Sequence, residues 1–223
     1  MKAVIGEAEN LSGDIEVPGG NMTAAAAWII AAATAHHDAN ITIKGVSMKP
    51  ERSGLIEALQ RMGARLEVLK RREVDGQTVA DIWIRASWLR GAQIDGDVPS
   101  RMVDELPLFA IACAVADGTT IIHYGKDERA KIADPLPAIA EMLKKMEIYI
   151  ERADQGLLIE GDEHFHGGAY DPGGDPRMAL ALGVAGLIAA ETLTVENAEC
   201  VDSVYPGFWD ALKRHTGGEV VLQ

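Results

Sequence analysis

The residues best placed for chemistry gather at three turns that run into alanine-rich segments: Val17-Pro-Gly-Gly-Asn21, Gly96-Asp-Val-Pro-Ser100 and Pro172-Gly-Gly-Asp-Pro176. A turn that opens a helix leaves the first backbone N–H groups without intrahelical partners, beside the positive end of the helix dipole. It can hold a carboxylate or phosphate without a large local excess of cations. The middle turn leads through Arg101-Met-Val-Asp104-Glu105-Leu106-Pro107 into the apolar stretch 108–116, so Asp104 is a charge that the dipole favours. On residue type alone, Arg177 reads as a surface cation beside an anionic turn and Lys131 as a loop lysine.

The elements that must position these turns repeat with a period of about 77 residues. Each unit has a short strand-like run, the Gly/Pro turn, an alanine-rich helix (24–35, 108–116 and 178–190), a β-branched run and a second helix. The β-branched runs are Asn40-Ile-Thr-Ile43, Thr119-Thr-Ile-Ile122 and Thr192-Leu-Thr-Val195. Pro50, Pro135 and Pro206 are expected to open the second helices, since proline is tolerated at the first helical position, where its missing N–H would have no intrahelical partner. Gly63 and Gly217 are expected to close the first and third of them, with Met146 standing at that place in the middle unit. The reading is an α/β (α+β) chain of three βαβ-type units, about 11–87, 88–163 and 164–223, forming one domain over 1–223. The alanine-rich helices should be buried, with Asn21, Asp104 and Arg177 at one common edge.

The composition narrows the partners. A formal charge of −13 argues against nucleic acid, which usually leaves a basic footprint, but leaves room for a small anion held locally. No apolar run reaches the roughly 18 residues that span a bilayer, and Met1–Glu7 is too short and acidic for a secretory signal, so a soluble cytoplasmic protein is expected. Cys113 in a helix and Cys200 in a strand-like segment read as free thiols. His36-His37-Asp38 and His164-Phe165-His166 lack further ligands at metal spacing, and Lys70-Arg71-Arg72 reads as a solvated strand end. No metal and no cofactor is expected.

Several stretches together resemble the 5-enolpyruvylshikimate-3-phosphate synthase family, over its C-terminal domain and the crossover segment before it. They are Val17-Pro-Gly19, Arg52 to Ala64, Ala80-Asp-Ile82, Leu89-Arg-Gly91, Arg101 to Pro107, Asp175-Pro-Arg177-Met-Ala179 and Tyr205-Pro-Gly-Phe208, in the family's order. UDP-N-acetylglucosamine enolpyruvyl transferases share the architecture but carry different signatures. The resemblance implies one half of an inside-out α/β barrel and transfer of the carboxyvinyl group of phosphoenolpyruvate to the 5-hydroxyl of shikimate 3-phosphate. It further implies Asp104 beside the reacting hydroxyl, Lys131 as a substrate-contacting acid/base, and Arg177 gripping phosphoenolpyruvate. The family's other domain would add a lysine, serine and arginine cluster, so a complementary N-terminal domain is an implied partner.

Departures accompany the matches. The family's Lys-Glu-Ser-Asp-Arg is Lys131-Ile-Ala-Asp-Pro135 here, so a glutamate acid/base has become isoleucine and a substrate-binding arginine has become proline. Pro176 replaces a histidine, and Ser203 replaces a residue that is often basic. Two expectations follow: a carboxyvinyl transferase domain that works only with its missing half, or an inactive scaffold with at most weak anion binding.

Overall fold

The computed structural model describes residues 1–35, 38–123, 135–153, 156–162 and 166–223. In the first unit β2 (Ser12–Glu16) runs parallel to β3 (Asn40–Ser47), joined by α1 (Met22–Thr34). After α2 (Gly54–Arg61), the hairpin β4 (Arg65–Val74) and β5 (Gln77–Arg85) returns, β5 lying antiparallel between β3 and β4. The second unit repeats this plan. Its β6 (Gln93–Ile94), α3 (Leu106–Ala114), β7 (Thr119–His123), α4 (Leu136–Lys145), β8 (Ile150–Ala153) and β9 (Gly156–Glu160) give the strand order β6-β7-β9-β8, equivalent to β2-β3-β5-β4.

The third unit departs from the expected boundaries. It comprises β10 (Gly168–Tyr170), α5 (Pro176–Gly186), β11 (Leu193–Val195), α6 (Phe208–Thr216) and β12 (Val220–Leu222). The inner place held elsewhere by β5 and β9 is filled by β1 (Ala3–Ile5), antiparallel to both β11 and β12. Ala3 and Ile5 are fully buried there. Three apolar residues are too short a run to signal a strand, so the sequence repeat starting at residue 11 left β1 out.

As expected, the alanine-rich helices form the centre. α1, α3 and α5 pack against one another, and every residue of α1 and α3 is buried. Their small side chains allow close approach. At Gly183 in α5 a Cβ would stand 2.7 Å from the Phe208 ring, and at Gly186 2.7 Å from Cβ of Ile5. The outer helices are amphipathic: α2 buries Leu55, Ile56, Ala58 and Leu59 and turns Arg61 outward. No helix among the described residues is long and apolar enough to cross a membrane.

The helix ends correct several details. Pro50 opens a short 3-10 turn ahead of α2, Pro135 is the N-cap of α4 with Pro137 inside its first turn, and Pro206 lies just before Gly207, the N-cap of α6. The prolines thus mark the approach to these helices, not their first residues. Gly63 (φ +86°) and Gly217 (φ +62°) take the left-handed closing positions. In the middle unit Met146 is the C-cap, as Met62 is in the first, and Glu147 takes the left-handed position at φ +65°. Cys113 is buried and free, while Cys200, also free, lies in the 3-10 segment Ala198–Ser203 instead of a strand.

An aromatic group secures α6 against α1. Trp28 is fully buried, donates its indole N–H to the Tyr205 hydroxyl (3.1 Å), and stands edge-on to Phe208 and His215. Burial, and then the neighbouring Arg214, holds His215 below its ordinary value of 6.5, favouring the neutral ring in the fold. The unfolded chain binds the proton more readily, so stability is expected to fall as pH drops below about 6.5. Urea unfolding at pH 7.5 and 5.5 checks this: His215→Phe should lose less stability on acidification than the parent chain.

Candidate functional site

The three central helices begin on one side of the molecule, and their first residues meet. Asn21 caps α1, its side-chain oxygen accepting from the N–H groups of Thr23 (2.8 Å) and Ala24 (3.2 Å). Asp175 caps α5 by accepting from the N–H of Arg177 (2.9 Å), and Pro176 fills the first helical position. Two of the three turns therefore satisfy much of their own N–H demand with a side chain instead of an anion. The 3-10 turn Val103–Glu105 leads into α3, which has no side-chain cap. Asp104 is thus committed to long-range ion pairs instead of a cap.

Those pairs cross all three units. The Arg52 guanidinium donates from Nη1 to Oδ2 of Asp104 (2.7 Å), and from Nη2 to Oε1 of Glu105 (2.5 Å) and Oγ1 of Thr23 (2.8 Å). Thr23 in turn donates to Glu105 (2.7 Å). On the other side of Asp104, Nη1 of Arg177 lies 3.3 Å from Oδ1, while Nη2 and Nε of Arg177 hold Asp175 at 2.7 and 3.0 Å. The result is an alternating row, Glu105, Arg52, Asp104, Arg177, Asp175.

Burial and pairing act in opposite senses along this row. Glu105 is 1 % exposed, and burial pushes its carboxyl above the usual range, with Arg52 and Thr23 pulling it back. Burial works against the charge on Arg52, but Glu105 and Asp104 outweigh it and hold the guanidinium charged. Burial also opposes charge on Asp175, yet its hydrogen bonds from Arg177 keep the carboxyl below the ordinary range. Arg177 is held charged by Asp175 first and Asp104 second.

The structure therefore brings Asp104 and Arg177 together, with Asn21 at the start of the neighbouring helix. Lys131 and Ile132 lie outside the described residues. Sequence reasoning missed Thr23, Arg52 and Glu105 as members of the site. Glu105 gave one usable signal: a carboxylate directly ahead of the wholly apolar Leu106–Ala114 must find a partner if that helix is buried. Thr23 and Glu105 stand 82 positions apart in the chain, a pairing that no local spacing reveals.

Two of the family departures have structural roles here. Pro135 is buried at the head of α4, and Ser203 donates to the carbonyl of Cys200 (3.0 Å). Arg101 ties the second turn to α2 through Glu57 (2.5 Å), Ser53 (2.7 Å) and Asp97 (3.0 Å). Arg72 is more than a solvated strand end, since it pairs with buried Asp81 at 2.9 Å; Lys70 and Arg71 are exposed as expected.

A cleft of about 290 Å³ adjoins the row, walled by the Pro18–Met22 turn, Lys49 and Arg52. A larger cavity of about 600 Å³ lies by the opposite ends of α1 and α3, at Thr34, Ala35, Val115 and Ala116, with Trp88 exposed on its rim. His36, His37, His164 and Phe165 lie outside the described residues. His166 rests between Glu147 (3.6 Å) and Glu191 (3.4 Å), and among the described residues no group of three or more His, Cys, Asp or Glu side chains is arranged to hold a metal.

Solved structures share this fold. EPSP synthase from Acinetobacter baumannii superposes with a TM-score of 0.83 at 30% identity, over 91% of this chain and 47% of that one. The enolpyruvyl transferase NikO from Streptomyces tendae, at 20% identity, shares the fold with a TM-score of 0.67 over 90% of this chain and 43% of its own. Three strand-and-helix units closed around converging helix starts make this chain one half of the enolpyruvyl transferase architecture. The family profile for EPSP synthase (3-phosphoshikimate 1-carboxyvinyltransferase) matches residues 2–212. The curated 3-phosphoshikimate 1-carboxyvinyltransferase of Pelobacter propionicus is 37% identical over 205 residues, 92% of this chain and 47% of its own length. The chain belongs to the EPSP synthase family, and it spans about half the length of the curated relatives it matches.

Proposed function

We propose that the chain is a single-domain half of a carboxyvinyl transferase, acting with a complementary domain on phosphoenolpyruvate and shikimate 3-phosphate. The reaction joins the 5-hydroxyl oxygen to the enol carbon of phosphoenolpyruvate, breaks that carbon's bond to the phosphate oxygen, and releases phosphate and the hydroxyl proton. The carrying observation is the meeting of Asp104 and Arg177 at the converging helix starts. In this reading Asp104 faces the reacting hydroxyl, Arg177 grips the anionic ends of phosphoenolpyruvate, and Lys131 serves as acid/base. Two free cysteines suit a reducing compartment such as the cytoplasm, and the contiguous apolar core suits one domain.

A specific observation favours the second reading, an inactive scaffold. Pro135 is buried at the head of α4 where the family's arginine would reach for substrate, so packing has replaced a contact. Arg177 also spends its fork on Asp175 and Asp104.

Calorimetric titration with phosphoenolpyruvate and shikimate 3-phosphate, singly and together, tests both. The isolated chain should bind phosphoenolpyruvate weakly, and Arg177→Ala should abolish that binding. Addition of a separately expressed N-terminal half from a relative should strengthen it. No heat from any combination would defeat the transferase reading and leave the scaffold.

A further inference from the structure

The most costly feature of the site is the one that the proposed chemistry leaves unused: a glutamate, an arginine and a threonine joined beneath Asp104. Glu105 is 1 % exposed, and a buried ion pair is seldom the most stable filling for such a place, since apolar residues of similar volume commonly do as well. The hydrogen-bond inventory suggests why it is built this way. Arg52 Nη2 contacts both Oε1 of Glu105 and Oγ1 of Thr23, and Thr23 spends its own hydrogen on that same Oε1. This triangle anchors the Nη2 end of the guanidinium. Nη1 is then aimed at Oδ2 of Asp104, and Oδ1 is left pointing at Arg177.

We infer that Arg52 is a positioning residue: anchored by Thr23 and Glu105, it holds Asp104 in one orientation when a ligand claims Arg177. The two contacts to Asp104 are unequal. Arg52 lies at 2.7 Å and Arg177 at 3.3 Å, and Arg177 is already engaged by Asp175. An anionic ligand that draws Arg177 away breaks the longer link first. Asp104 then stays where Arg52 keeps it, with Oδ1 released towards the reacting hydroxyl. Lysine cannot substitute, because an ammonium offers a point charge and no planar fork to span Glu105 and Asp104 together. The inference rests on the reading of Asp104 as the group beside that hydroxyl.

Two measurements test it separately. Three-bond Hα–Hβ couplings of Asp104, recorded by NMR on the full chain without substrate, should report a single χ1 rotamer in the parent. They should become averaged in Arg52→Met and Arg52→Lys, and partly averaged in Thr23→Val. Arg52→Lys keeps the charge in case Arg52→Met does not fold. In the chain reverted at Ile132→Glu and Pro135→Arg and complemented with the missing half, Arg52→Lys should lower kcat by about 10²-fold with KM little changed. A single Asp104 rotamer retained in the Arg52 variants overturns the inference, even where they lose stability. Averaged couplings in variants of a complemented enzyme that never transfers carboxyvinyl would support the positioning and count against the transferase reading alone.

Discussion

Truncating Trp28 to alanine is expected to lower stability by about 3–5 kcal/mol, the range for removing a large aromatic from a packed core. The side chain is fully buried on α1, contacts Phe208 and His215 edge-on, and provides the donor to the Tyr205 hydroxyl. Its loss opens a cavity where the first and third units meet and leaves the buried Tyr205 hydroxyl without its indole partner. For a chain of this length the change corresponds to roughly 10 °C in Tm by scanning calorimetry. Trp28→Phe should recover much of the packing but not the hydrogen bond. A loss below about 1 kcal/mol for the alanine variant would mean that the helices close over the gap.

The largest functional effect is expected from Ile132→Glu combined with Pro135→Arg. The unmodified chain alone should release no phosphate above a no-enzyme control when given both substrates. On the transferase reading, the double variant should do so only when a complementary domain is also supplied, because the acid/base and anion clamp proposed for those positions still require the other half of the substrate contacts. Pro135 adopts φ −81° and ψ −5°, which arginine accepts readily, but it is buried. The new side chain must run its stem out to the surface, at a cost of about 1–3 kcal/mol. Turnover by the unmodified isolated chain would show that neither the substitutions nor the missing half matter as argued.

How much could be read in advance follows from the range of each interaction. The central helices were legible because 24–35 and 108–116 offer almost no polar residue to face water. The common edge was legible because one supersecondary unit, repeated with one handedness, returns its turns to one side. Asp104 and Arg177 could be named by resemblance, and they do meet. Arg52 could not be found by spacing, because its partners Thr23, Asp104 and Glu105 come from two other helix starts. Asn21 and Asp175 were in view, but their use as caps depends on side-chain direction, which composition does not encode. β1 escaped for the same reason of range: its identity lies in what it pairs with.

That strand also bears on the order in which the molecule can be assembled. Ala3 is in register with Leu222 and Ile5 with Val220, and the main chains of Lys2 and Gln223 exchange hydrogen bonds at 2.8 and 2.9 Å. The first two sheets draw their strands from neighbouring stretches of chain and can form while synthesis is still under way. The third pairs Ala3–Ile5 with Leu193–Val195 and Val220–Leu222, across a far longer stretch of chain than either of the others, so its closure costs more loop entropy. Until β12 docks, one edge of Ala3–Ile5 remains uncovered. The third sheet is therefore expected to close after the other two, and removing β12 should leave β1 without one of its two neighbours.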